Sequence, residues 1–193
     1  TLANEDLPLF TPRNQILLSN PVNNNNDNPR IFLKSILKPL KGLEAVFEYT
    51  FDKNIYDYHW YTGQYDYTTI QGGSSKSFVD DYLRKYKQHT NYNAINVYAT
   101  YSKKFGDHNF KVMAGFNQES SYQETLDAYS YNQAVIDVPA MGSGTGTIKA
   151  TDSYSEYAVR GGFFRVNYNY QDKYLLEVNG RYDGSSKFPK SSR

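Results

Sequence analysis

Apolar and polar residues alternate with a period of two in one segment after another. Leu43, Ala45, Phe47, Tyr49 and Phe51 alternate with Glu44, Val46, Glu48, Thr50 and Asp52. Ile95, Val97, Ala99 and Tyr101 alternate with Asn96, Tyr98, Thr100 and Ser102, and Phe110, Val112, Ala114 and Phe116 with Lys111, Met113, Gly115 and Asn117. Phe164, Val166, Tyr168 and Tyr170 alternate with Arg165, Asn167, Asn169 and Gln171. Tyr174, Leu176, Val178, Gly180 and Tyr182 alternate with Leu175, Glu177, Asn179, Arg181 and Asp183. Side chains of a strand point alternately to its two faces, so each segment predicts a strand with one greasy and one wet face. Residues 30–38 alternate less cleanly and read as the partner of 43–52. The total is about six strands in three hairpins over residues 30–193.

The connections separate into two kinds. Pro39-Leu40-Lys41-Gly42, Gly106-Asp107-His108 and Gln171-Asp172-Lys173 are tight turns, whereas residues 57–92 and 120–157 are long excursions. Short and long alternate strictly, as in outer-membrane barrels, which place short turns on the periplasmic side and long loops outside. Segments 93–105 and 109–119 are also long enough to cross a membrane, where about 9–11 residues suffice. The fold class is therefore all-β, with antiparallel transmembrane β-barrel strands and long extracellular loops. A soluble extracellular β-sandwich module that binds carbohydrate is the alternative left open by periodicity. Residues 1–29 hold Pro8, Pro12, Pro21, Pro29 and an Asn-rich run, and read as a loop or irregular segment.

Composition changes this picture in three places. Among 193 residues, 20 Tyr and 11 Phe carry much of the apolar surface, and aromatics suit boundaries between wet and dry. The formal net charge of +1 gives no footprint for nucleic acid. Cysteine is absent, which excludes disulfides and thiolate metal sites, and no apolar run is long enough for a membrane-spanning helix. The chain begins at Thr1 without a signal-like segment and reads as processed or excerpted.

Candidate chemistry is sparse. Gly142-Ser143-Gly144-Thr145-Gly146-Thr147 lacks the Lys of a phosphate loop and reads as a flexible loop tip. His59, His89 and His108 have no metal-ligand spacing, so neither a metal nor another cofactor is expected. Asp80 to Lys87 read as a short solvated helix, with Asp80 near Arg84 and Asp81 near Lys85. No nucleophile–base arrangement exists, and no enzyme is expected. The segment from Tyr56 to Tyr67 is the most suggestive. In it Tyr58, Trp60 and Tyr61 are candidate substrate-binding residues, since aromatic faces beside carboxylates and amides suit sugar rings or peptides. The same residues also fit an interfacial aromatic belt.

The block GGFFRVNYNYQDKYLLEVNGRYDGSSKFPKSSR, residues 161–193, resembles the signature region of SusC/RagA-type TonB-linked outer-membrane proteins: a strand FxRVNYxYxDKYL, then a second strand ending R-x-DGSS-x-F. KPLKGLEAVFEYTFD and YSKKFGDHNFKVMAGFNQE are similar to the hairpins before it in that family. The resemblance implies a barrel of about 22 strands with a plug in its lumen, of which this chain holds part. It implies import of glycans or peptides together with a SusD-like surface lipoprotein, outer-membrane lipid around the wall, and TonB acting through segments outside this chain. The location implied is the outer membrane of a Gram-negative, Bacteroidetes-type cell. In such a barrel Arg165, Asn167, Glu177 and Arg181 face the lumen and meet the plug or line the route of the substrate.

Overall fold

The computed structural model describes residues 8–18, 22–69, 73–76, 81–135 and 137–189. A short helix, α1 (Pro12–Leu18), precedes β1 (Asn23–Asp27), β2 (Arg30–Leu40), β3 (Leu43–Thr62), β4 (Asp66–Thr68), β5 (Ser74–Lys76), β6 (Tyr82–Phe105), β7 (His108–Tyr131), β8 (Ile148–Tyr170) and β9 (Tyr174–Ser185). Seven strands share one sheet in the order β1-β3-β6-β7-β8-β9, with β2 also paired to β3, while β4 and β5 form a separate hairpin. The all-β expectation therefore holds, and the three tight turns lie where the sequence put them. Two compact units divide the chain: a hairpin unit (27–54, 89–123, 154–193), which contains the tight turns, and a loop unit (1–26, 55–88, 124–153).

Registers in the hairpin unit keep like faces together. Ile31, Leu33 and Leu37 sit opposite Phe51, Tyr49 and Ala45 on one face. On the other, Arg30 pairs with Asp52, Lys34 Nζ lies 2.8 Å from Glu48 Oε1, and Lys38 Nζ lies 3.3 Å from Glu44 Oε2. The ladder slips between Leu37 and Leu40, at Pro39, which has no N–H to donate. Val166 opposes Val178, Tyr168 opposes Leu176 and Phe164 opposes Gly180, while Arg165 opposes Asn179 and Asn167 opposes Glu177. At Gly180 a Cβ would meet the Phe164 ring at 2.6 Å, so this ring covers the strand where a side chain is missing. Gly42 turns the β2–β3 hairpin at φ +88°, its carbonyl accepting from Ser102 N at 2.8 Å.

The greasy face of this unit is its exposed face. Phe110, Val112 and Phe116 of β7 are 41, 40 and 42% accessible, whereas Met113, Asn117 and Glu119 on the other face of the strand are half-buried. Val46 is its one buried apolar side chain among the described residues. A soluble sandwich would cover such a face with a second sheet. Among the described residues of this unit no second sheet covers it, so the unit itself is not a sandwich. Near the tight turns the same face carries contiguous rings: Phe105 and Phe110 at 6.4 Å, Phe110 and Tyr168 at 4.8 Å, His108 and Tyr170 at 4.8 Å, and Tyr170 and Tyr174 at 6.4 Å.

Four readings need correction. Residues 1–29 are not irregular throughout, since they form α1, capped by Thr11 Oγ1 accepting from Asn14 N at 3.2 Å, and β1. The strands run far into the expected loops: β3 continues to Thr62, β6 starts at Tyr82, β7 ends at Tyr131 and β8 starts at Ile148. The helix read over residues 80–87 is strand instead; Asp80 lies outside the described residues, and Leu83, alternating with Tyr82 and Arg84, is fully buried. The glycine-rich tip is also ordered. Gln133 Nε2 donates to Ser130 O and Oγ, both at 3.0 Å, and Gln133 Oε1 accepts from Ala140 N at 3.1 Å and Ser143 Oγ at 2.7 Å.

The loop unit has a small core of its own, formed by Tyr61, Tyr67, Leu83 and Ala128 with the buried polar Thr68, Ser130 and Gln133. Residues 8–10 add to β4: Phe10 N donates to Thr68 O at 2.9 Å, Thr68 N donates to Pro8 O at 3.0 Å, and the Phe10 ring lies 4.6 Å from Tyr67.

Candidate functional site

Extension of β3 through Thr62 sorts the sequence-nominated aromatics onto two faces. Tyr56, Tyr58 and Trp60 share one parity, with Asp57, His59 and Tyr61 on the other. The trio expected to act together is therefore split: Tyr58 and Trp60 meet, at 6.4 Å between centroids, while Tyr61 is 5% accessible and belongs to the core.

Neighbouring strands enlarge the Tyr58–Trp60 pair into a platform. Tyr82 of β6 lies 5.9 Å from Trp60, 5.8 Å from Tyr129 and 5.7 Å from Tyr131, and Tyr129 and Tyr131 of β7 stack at 6.4 Å. Tyr86 of β6 approaches Tyr56 at 5.8 Å. Arg84 stands among these rings, its guanidinium 5.7 Å from Tyr58, 5.7 Å from Tyr86 and 5.2 Å from Tyr129. Its Nε and Nη2 donate to Asp127 Oδ1 and Oδ2 at 2.9 and 3.0 Å, a bidentate bond that fixes the plane of the cation. Lys149 of β8 lies 5.4 Å above the Tyr131 ring.

The sequence reading gave Arg84 only a local partner, Asp80, and passed over Asp127, Tyr82, Tyr86, Tyr129 and Tyr131 as site residues. The signal was the spacing Tyr82-x-Arg84-x-Tyr86 and Asp127-x-Tyr129-x-Tyr131, which is the strand period.

Electrostatics in this unit follow burial and pairing. The hydrogen bond that Arg84 donates to Asp127 raises Arg84 above its ordinary value. Burial raises Tyr129. Burial also pushes the Tyr61 phenol up to about 12, with the nearby Asp81 carboxylate acting in the same direction. On the opposite face His59 is lowered by burial and by Lys85, and its Nε2 makes no hydrogen bond among the described residues. It lines a cleft of about 280 Å³ with Asp57, Lys85 and Lys87.

In the hairpin unit, Arg165, Asn167, Glu177 and Arg181 occupy one face of β8 and β9, as their alternation requires. Asn167 Nδ2 and Asn179 Nδ2 donate to Glu177 at 3.0 and 3.2 Å, and Arg165 Nε lies 3.6 Å from the same carboxylate. Arg181 is held by Asp183 at 2.8 Å and reaches Asn117 Oδ1 of β7 at 3.4 Å. This ladder ties strand to strand and has the chemistry of a wetted wall. Among the described residues no group of His, Asp and Glu has a metal-binding arrangement.

No protein-family model matches the chain. It is similar to TonB-dependent receptor P3 of Formosa agariphila, with 29% identity over 133 residues, 68% of this chain and 13% of that protein. TonB-dependent receptor P26 of the same organism is 37% identical over 78 residues, 40% of this chain and 7% of that protein. The chain thus spans a small part of the curated relatives it matches, and neither is named as an enzyme. Two solved structures share the fold. The RagAB peptide transporter matches with a TM-score of 0.75 at 16% identity, over 89% of this chain and 19% of that one. The RagAB peptide importer in its closed-closed state matches with a TM-score of 0.76 at 15% identity, over 89% and 19%.

Proposed function

We propose that this chain, SusC/RagA-like in its sequence and in its fold, forms part of the barrel wall of a TonB-dependent outer-membrane transporter. The observation that carries the reading is the open apolar face of the hairpin unit, backed by a polar face cross-linked by ion pairs and hydrogen bonds. Lipid is the solvent that makes such an arrangement favourable. The girdle spacing agrees. Tyr174 and Tyr182 are eight residues apart, about 26 Å along the strand at about 3.3 Å per residue; a tilt of about 40° leaves about 20 Å, near the scale of a barrel's apolar band. Lys103 Nζ, 4.6 Å above the Phe105 ring beside the turn, suits a side chain reaching from that band toward headgroups.

On this reading the whole transporter imports glycans or peptides with a SusD-like lipoprotein, powered through TonB. Residues 30–193 contribute wall. Arg165, Asn167, Glu177 and Arg181 face the lumen and support the plug or the substrate route, and Tyr58 and Trp60, backed by Arg84, contact the substrate.

Because this chain has no cysteine, single cysteines report its faces cleanly in an intact transporter cleared of other reactive thiols. In outer membranes, Val112→Cys and Val178→Cys should resist a small water-soluble thiol reagent and accept a lipid-soluble one, while Lys111→Cys and Asn179→Cys do the reverse. Equal aqueous labelling of both sets sinks the wall assignment.

A further inference from the structure

We infer that the Trp60–Tyr82–Tyr131 row is a stacking track for a saccharide bearing an anionic group, which Lys149 at the end of the row recognises. The inference rests on the reading of the platform as a substrate contact and adds the class of substrate. Ring-to-ring steps of 5.9 Å at 66° between planes (Trp60 to Tyr82) and 5.7 Å at 43° (Tyr82 to Tyr131) bring three half-exposed rings together across β3, β6 and β7, so a ligand meets faces and edges in turn. Pyranose rings present C–H faces to such surfaces and hydroxyls to the polar groups beside them.

Charge sets the class. Arg84, the cation inside the platform, is already neutralised by both oxygens of Asp127, so it braces rings and has little left for a ligand. Lys149 is exposed, lies over Tyr131 at 5.4 Å and has no ion pair among the described residues. The row therefore ends on one uncompensated positive charge, placed where a carboxylate or sulfate on a stacked ring can reach it. A peptide fits less well. Extended peptides draw affinity from a free sheet edge, whereas β3, β6 and β7 are all interior strands whose neighbours occupy both sides.

The test uses the full-length transporter in detergent and three probes: a galacturonic acid hexamer, its fully methyl-esterified neutral counterpart, and an acidic hexapeptide. At low salt the acidic hexamer should bind about two- to fivefold more tightly than the ester, the scale of one exposed ion pair. Lys149→Gln should bring that ratio to about one while leaving the ester's affinity unchanged, and added salt should do the same to the wild type. Trp60→Ala should weaken both hexamers alike, by about threefold or more. Equal binding of the two hexamers, absence of binding by either, a preference that survives Lys149→Gln, or tighter binding of the peptide each overturns the anionic-saccharide inference. If Trp60→Ala and Tyr82→Ala leave every probe and uptake by whole cells unchanged, the platform reading itself falls.

Discussion

Arg84→Lys keeps the charge and the approximate length of the side chain but removes the planar fork, and the geometry around Arg84 sets what that should cost. Lysine replaces two parallel bonds to Asp127, at 2.9 and 3.0 Å, with one. A net hydrogen bond to a charged group contributes about 1.5–3 kcal/mol, and the pair here is only partly exposed, at 30 and 22% of side-chain area. The guanidinium also lies within 5.7 Å of three rings, each contact worth about 0.5–1 kcal/mol at a partly exposed site, of which an ammonium retains a share. Together these give a loss of about 1–3 kcal/mol, confined to the strand segments that the side chain joins. Hydrogen exchange on the intact transporter reads this directly. Amides at 56–60, 82–86 and 127–131 should open about fivefold to about a hundredfold more often, with 95–101 unaffected. Asp127→Asn should produce part of the same effect, and the double variant should be less than additive. Unchanged exchange at those amides refutes the bracing role, and a uniform rise in both sets would mean that the units do not open separately.

Gly42→Ala places a Cβ against the backbone carbonyl of Ser102 at φ +88°, where neither atom has room to yield; it should lower the unfolding temperature of the barrel in heated gel-shift assays by the equivalent of about 1–3 kcal/mol. Gln133→Ala removes the side chain that joins Ser130 to Ala140 and Ser143, so limited proteolysis within residues 134–147 should accelerate with no change in the hairpin unit. His59 is held below its ordinary value of 6.5, so the unfolded state takes up a proton first as pH falls. The loop unit should keep full stability above about pH 6.5 and lose it progressively on acidification through the folded value. His59→Gln should flatten that slope when exchange at 56–60 is followed from pH 7.5 to about pH 5.

The hairpin unit was legible because its alternation contrasts aliphatic with charged residues. Val97 beside Asn96, or Val178 beside Asn179, leaves no doubt about which side chain seeks which solvent. The loop unit offers no such contrast. In Tyr58-His59-Trp60-Tyr61 both faces are aromatic, so a period of two cannot be told from a run of loop aromatics until strand pairing fixes the parity. Arg84 was hidden for a related reason. Its carboxylate partner lies 43 residues away in sequence, while Asp80 and Asp81 stood at helical spacing close by and suggested a local pair. The ordered tip at 142–147 depends on Gln133, a side chain whose four bonds cannot be read from the glycines they stabilise.

The two units also differ in what stabilises them. In the hairpin unit every strand is paired and the polar face is cross-linked, yet its apolar side chains gain little from one another: Val178, Leu176 and Tyr182 remain 48, 60 and 74% accessible. At about 25 cal/mol per Å² of apolar area, that surface contributes nothing to stability in water and contributes fully once lipid covers it. The loop unit instead removes Tyr61, Tyr67, Leu83 and Ala128 from solvent by its own packing and satisfies Thr68, Ser130 and Gln133 internally. Detergent or lipid should therefore be decisive for the first unit and nearly irrelevant for the second. Under the proposed function, that asymmetry would let the aromatic platform keep its shape in water while the strands of the hairpin unit answer to the membrane.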